Sequence, residues 1–186
     1  MKKVLTAIIT FALFTTTVLA QNKTINTAES KVVWKGYKVT GAHQGTIALQ
    51  SGDLIFKDNV LTGGAFVIDM TTINTTDLEG EYKGKFEGHI KSDDFFGVEK
   101  FTTSKLVFTK VEASGKNSYT VTGDLTIKDK TNPVTVNVSV YGSKATATLK
   151  VDRTKYDIKY GSASFFEGLK DKAIYDEFDL VVDLQF

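Results

Sequence analysis

Few side chains in this sequence of 186 residues could carry chemistry. There are two histidines, His43 and His89, the adjacent acids Asp93 and Asp94, and a single arginine, Arg153. His89 and Asp93 stand four apart, which would place two ligands on one helix face, but zinc sites use three or four protein ligands and no strong third lies nearby. The plainer reading is that His89 hydrogen-bonds backbone and orders its loop. Asp93 and Asp94 point in different directions from a turn, which suits a general acid–base pair poorly. With Ser92 as N-cap they would face the positive end of a short helical turn, stabilising it by about 0.3–1 kcal/mol each. Arg153 is expected to pair with Asp152 or Asp157, with a ligand head group as the alternative. The sequence has no cysteine, no Gly-rich phosphate loop, no Gly-x-Ser-x-Gly elbow and no His-Glu-x-x-His. We therefore expect a non-enzyme with no catalytic residue and no metal site.

The elements that would hold these residues are mostly strands. Val, Ile, Thr, Tyr and Phe recur at period two between turns of Gly, Asn, Asp and Lys. Val32 and Trp34 share a face, as do Ile47 and Leu49, Leu54 and Phe56, and then Phe66, Ile68 and Met70. Lys57-Asp58-Asn59-Val60 reads as a hairpin tip. Alternation resumes through Leu106 and Phe108, Tyr119 to Ile127, Pro133 to Tyr141, Ala145 to Val151 and Phe178 to Phe186. It stops from Thr75 to Ser104, where Leu78, Tyr82 and Phe86 fall at helical spacing, and again from Ser162 to Asp171, where Phe165, Phe166 and Leu169 suggest a second short helix. Eight or nine antiparallel strands with two helical interruptions leave a sandwich or a closed barrel, and the up-and-down connection lengths favour the barrel.

The stretch from Gly88 to Phe101 stands apart, because Phe95 and Phe96 follow three polar residues and precede a glycine. Its core, His-Ile-Lys-Ser-Asp-Asp-Phe-Phe at 89–96, resembles the His-Leu-Lys-Ser-x-Asp-Phe-Phe signature of the YceI-like family of lipid/polyisoprenoid-binding proteins. Residues 123–134 resemble that family's Gly-x-Leu-Thr-Ile-x-Gly-x-Thr-x-Pro-Val segment, and residues 153–158 its Arg-x-x-Phe-Gly-Ile. The sequence departs from the pattern at Gly97, where Asp is common, at Thr102, near a usual Pro, and at Asp129 and Asp157, where glycines are usual. The resemblance implies a single antiparallel, lipocalin-like barrel of about eight strands with an apolar interior that holds an isoprenoid or other lipid. The ligand-contacting residues would then be Trp34, Phe66, Ile68, Leu106, Phe108 and Val121 in the lumen, with Phe95 and Phe96 in a lid. Each of these also reads as ordinary core. No cofactor is expected beyond a bound isoprenoid lipid or quinone.

Residues 1–20 read as a cleavable signal peptide: Lys2 and Lys3 precede an apolar run, and Val18-Leu19-Ala20 supplies the cleavage site. The domain proper is then 21–186, in a bacterial periplasm or secreted. A formal net charge of +1 gives no electrostatic case for nucleic acid or an anionic membrane. Without cysteine an exported chain must be held by its core alone. Two readings compete with a lipid carrier that does not insert stably into membranes. One is an integral outer-membrane barrel, suggested by the terminal alternation Leu180, Val182, Leu184, Phe186; the other is an envelope stress or structural protein with a filled core. The sequence leaves the oligomeric state open, a homodimer included.

Overall fold

The computed structural model describes residues 20–186, so the signal-peptide reading of residues 1–20 falls outside it but for Ala20. Nine strands and one helix follow in order: β1 (Ala20–Thr24), β2 (Lys31–Lys38), β3 (Gly41–Lys57), β4 (Val60–Thr75), α1 (Gly80–Lys91), β5 (Thr103–Gly115), β6 (Ser118–Ile127), β7 (Lys130–Tyr141), β8 (Lys144–Asp152) and β9 (Glu177–Gln185). The sheet runs β3-β2-β9-β8-β7-β6-β5-β4 and returns to β3 through the β3–β4 pairing. This is a closed, antiparallel eight-stranded barrel, and closure removes the sheet edges that an open sheet would expose. β1 is the extra strand. It pairs with Asp53–Lys57 of β3, while β2 takes the Gly41–Ile47 half of the same strand.

Alternation decides which face is core. On β6 the inward residues Tyr119, Val121, Leu125 and Ile127 are buried, and the intervening Thr120, Thr122, Asp124 and Thr126 face out. The β3–β4 turn has both central residues left-handed, Asp58 at φ 51° and Asn59 at φ 62°. That is the geometry of a two-residue turn whose twist matches the strands. Lys128 and Asp129 repeat it at the β6–β7 turn, with φ of 49° and 58°. Asp129 and Asp157 (φ 61°) thus adopt the conformation a glycine would supply, which Asp tolerates better than most residues.

Three local expectations need correction. Ser92 does not start a helical turn; it ends α1, its Oγ donating to the His89 carbonyl at 2.7 Å. Asp93 and Asp94 therefore sit past the negative end of a helix, and Asp93 is compensated by the Lys100 ammonium at 2.6 Å. The chain can turn there because Gly97, at φ 56°, sends its N–H back to the Ser92 carbonyl at 2.7 Å. Leu78 precedes α1 and Tyr82 is 79% exposed, so the helix packs through Ile90, buried, and Phe86, partly buried, rather than through the Leu78–Tyr82–Phe86 row. Ser162 to Asp171 forms turns with only a 3-10 segment at Lys170–Lys172, because Gly161 and Gly168 are left-handed and the Ser162 hydroxyl accepts from the Ser164 N–H.

Candidate functional site: an apolar lumen under an aromatic lid

The barrel encloses a cavity of about 240 Å³. All eight barrel strands contribute apolar walls. β2 gives Val32 and Trp34, β3 gives Ile47, Leu49 and Leu54, and β4 gives Phe66, Ile68, Met70 and Ile73; Leu106, Phe108, Leu125 and Ile127 come from β5 and β6. Opposite them stand Val136 and Val138 of β7, Ala145, Ala147 and Leu149 of β8, and Phe178, Leu180, Val182 and Leu184 of β9. β7 and β8 contribute the small side chains Val136, Val138, Ala145 and Ala147 to the lining, while Phe66 of β4 and Phe108 of β5 pack 5.5 Å apart. An apolar cavity of about 150 Å³ stays dry and admits benzene-sized ligands, and this one is larger.

Over one end lie α1 and the segment 92–101. Phe95 and Phe96 contact each other at 5.5 Å, Phe96 meets Phe178 at 6.4 Å, and both line the cavity. The Lys128 ammonium, from the β6–β7 turn, donates to the carbonyls of Phe95 and Asp93 at 2.9 and 3.2 Å and ties the lid to the barrel. On the other side Trp34 stacks on Phe86 at 6.3 Å and donates from its ring N–H to the Thr46 carbonyl. That ring fits only because Gly45 lies beneath it, where a Cβ would come 1.9 Å from the Asn74 carbonyl oxygen and 2.6 Å from the indole. His43 packs on Phe86 at 4.6 Å and contacts Asp77 at 3.0 Å. Burial pushes the Asp77 carboxyl up, but the Gln44 N–H and the His43 ring outweigh it and hold it below the usual carboxylate range.

Polar groups gather at the mouth. Arg153 is 2% exposed and donates to three carbonyls, Ile158 at 2.7 Å and Ile174 and Tyr175 at 3.1 Å, with Asp176 at 3.7 Å. It thereby clasps the long loop before β9, while its guanidinium lies 5.4 Å from the Phe95 ring. Burial lowers its pKa, and Asp176 and Asp152 oppose that shift. Asp176 is itself pushed up by burial but held below normal by the Ser162 and Ser164 hydroxyls and by Arg153. The carboxylate partner is thus Asp176. Asp152 instead accepts from Thr154, and Asp157 pairs with Lys159. The His89 ring packs against Tyr160 at 4.5 Å and Phe95 at 5.7 Å, and among the described residues its buried Nε2 has no hydrogen-bond partner. Among the described residues no three His, Asp or Glu side chains converge.

Trp34, Phe66, Ile68, Phe95, Phe96, Leu106 and Phe108 all line this one cavity. Val121 does not. It is fully buried on β6, paired with Val136 of β7, and packs within the barrel core without reaching the cavity. Phe86, Phe178, Leu180, Ile174 and Tyr175 also line the space but escaped the sequence reading. The β9 alternation was visible and could have placed Phe178 and Leu180, whereas nothing local in sequence marks Ile174 or Tyr175.

A UPF0312 protein of Shewanella denitrificans is 34% identical over 70 residues, 38% of this chain and 36% of the relative. Another from Pseudomonas fluorescens is 44% identical over 54 residues, 29% of this chain and 28% of the relative. The chain thus spans about a third of the length of these curated relatives. Among solved structures, Burkholderia cenocepacia BcnA superposes with a TM-score of 0.68 at 21% identity, covering 86% of this chain and 98% of that one. A polyisoprenoid-binding domain from Saccharophagus degradans, implicated in plant cell wall breakdown, gives 0.61 at 14% identity, covering 90% and 98%. At these identities the two structures speak for the fold alone. The family model described as YceI-like domain matches residues 24–186, nearly all of the described chain, and the protein belongs to that family.

Proposed function

We propose that this protein is an exported carrier that takes the apolar tail of a long-chain isoprenoid or similar lipid into its barrel and catalyses no reaction on it. The observation that carries this reading is the cavity itself, a space of about 240 Å³ walled by apolar side chains from every barrel strand and covered by the Phe95–Phe96 lid. Pockets that enclose drug-sized ligands run to about 300–1,000 Å³, so a polyisoprenoid tail enters fully only if lid side chains move, and otherwise part of it stays outside. The polyisoprenoid-binding neighbour supports the ligand class.

The rival readings fare less well. An outer-membrane barrel needs an apolar outward band about 25 Å tall. The outward positions here include Thr120, Thr122 and Asp124 on β6, Thr135 and Asn137 on β7, and Asp179 and Asp183 on β9. A purely structural protein would be expected to fill its lumen with its own side chains. Export rests on residues 1–20 as a signal peptide; release of a chain starting at Gln21 by osmotic shock supports it, and recovery only in detergent contradicts it. The ligand is tested by native intact-mass measurement of the purified protein. A lipid adduct that disappears on solvent extraction is expected, and bare chain mass from cells of several growth conditions speaks against carriage.

A further inference from the structure

We propose that the loops around the cavity mouth form a docking surface for a phospholipid bilayer, from which lipid passes directly into the lumen. The proposal rests on the carrier reading. Val39, Tyr160, Phe165, Phe166 and Tyr175 are each between 48% and 55% exposed, and all lie on the β2–β3 turn or the long loop before β9. Backbone bonds join those segments: Val39 N–H to the Ala173 carbonyl, Tyr175 N–H to Tyr37 and Ile174 N–H to Gly161. The Ser164 hydroxyl, beside Phe165, donates to Asp176 at 2.6 Å. The rim is also continuous with the lumen, since Tyr37, Ile174 and Tyr175 line the cavity and Tyr160 packs on His89. Large exposed apolar residues elsewhere, such as Ile55, Val107 and Val181, lie on separate strands of the barrel wall, which is ordinary for a protein surface.

Size and charge select the occupant. An aromatic side chain offers about 150–250 Å², so four half-exposed rings present on the order of 400 Å². A stable protein interface takes about 800 Å² from each partner, roughly twice as much, whereas a bilayer interface accepts a small aromatic patch. Asp157 pairs with Lys159 and Asp176 faces Arg153, which leaves Lys38, Lys155, Lys170 and Lys172 against Glu167, Asp171 and, at the start of β9, Glu177. That slight cationic excess, on stems long enough to lie along apolar surface, suits lipid phosphates.

The test is co-sedimentation of ligand-free protein with vesicles of mixed phosphatidylethanolamine and phosphatidylglycerol. The double variant Phe165→Ser, Phe166→Ser should lose vesicle partition about tenfold or more, while the wall variant Val107→Ser, Val181→Ser keeps it. Equal partition of all three, or no sedimentation of the wild type, overturns the proposal. So does a wild-type dimer that the rim variant abolishes, since a second copy would then cover the patch. A short-tailed quinone in vesicle-free solution separates the two readings: both variants should bind it as the wild type does. If the wild type binds no quinone yet sediments through its rim, docking stands and carriage falls.

Discussion

The two ends of this barrel share the same strands and the same alternation, yet one is solid and the other hollow. At the packed end Phe56 meets Phe186 at 5.8 Å, Leu61 is 2% exposed, Val121 is fully buried, and the Tyr119 hydroxyl accepts from the Leu61 N–H at 3.4 Å. None of these residues lines the cavity. Toward the mouth the same strands bring in Leu125 and Ile127, and the covering comes from the lid. Period-two alternation decides only that a side chain points inward. Side-chain size, strand by strand, decides whether the interior is filled.

Mutations can break this contrast. The largest effect is expected from Leu61→Ala at the packed end, a loss of about 2–5 kcal/mol because the truncated site has little room to relax, with ligand affinity unchanged. Chemical denaturation and binding titration on one preparation check both halves, and a weakened ligand would show that the ends are coupled. Next is the lid. Replacing Phe95 and Phe96 together by Ser should lower stability by about 2–4 kcal/mol, less than two full burials because both rings are only partly buried, and should also weaken the ligand. An unchanged melting curve would mean the rings do not cover the lumen.

Two smaller changes sharpen the comparison. Tyr156 is 1% exposed and its hydroxyl has no partner among the described residues, so Tyr156→Phe should gain about 1 kcal/mol. Burial, with Asp152, pushes its pKa up to about 12 from 10.0. An acid whose pKa is raised on folding favours its neutral form in the folded state. The associated stability is therefore complete below about pH 10 and fades as pH climbs toward 12. The phenylalanine variant should lose that part of the alkaline destabilisation, as thermal melts across that range would show. Smallest is Gly84→Ala in α1, where an added Cβ meets nothing within 4 Å. It should stabilise by about 0.5–1 kcal/mol, read from urea midpoints, and leave ligand affinity alone.

Much of this architecture was legible in the sequence. Alternation found nearly every strand, and Asp58-Asn59 marked its turn, because both signals are local. The same alternation put Trp34, Phe66, Ile68, Leu106 and Phe108 on inward faces. It also put Val121 there, but Val121 is packed into the barrel core and does not reach the cavity, which its ladder partner Val136 does line. Ser92 was misread because a serine before two acids suits a helix start, whereas here its position after Gly80–Lys91 and the return bond from Gly97 make it a helix end. The Arg153 partner, Asp176, lies 23 residues on and is brought close only when the loop before β9 folds back.

The central claim is that the hollow end takes a lipid tail, and a series of isoprenoid quinones with one head group and increasing tail length tests it most directly on lipid-stripped protein. Each buried CH₂ contributes about 0.8 kcal/mol, so affinity should climb steeply over the first isoprene units and level off once the cavity of about 240 Å³ is full. Affinity that stays flat from the shortest tail onward, or no binding at any length, would contradict the account and leave an apolar cavity that serves no lipid.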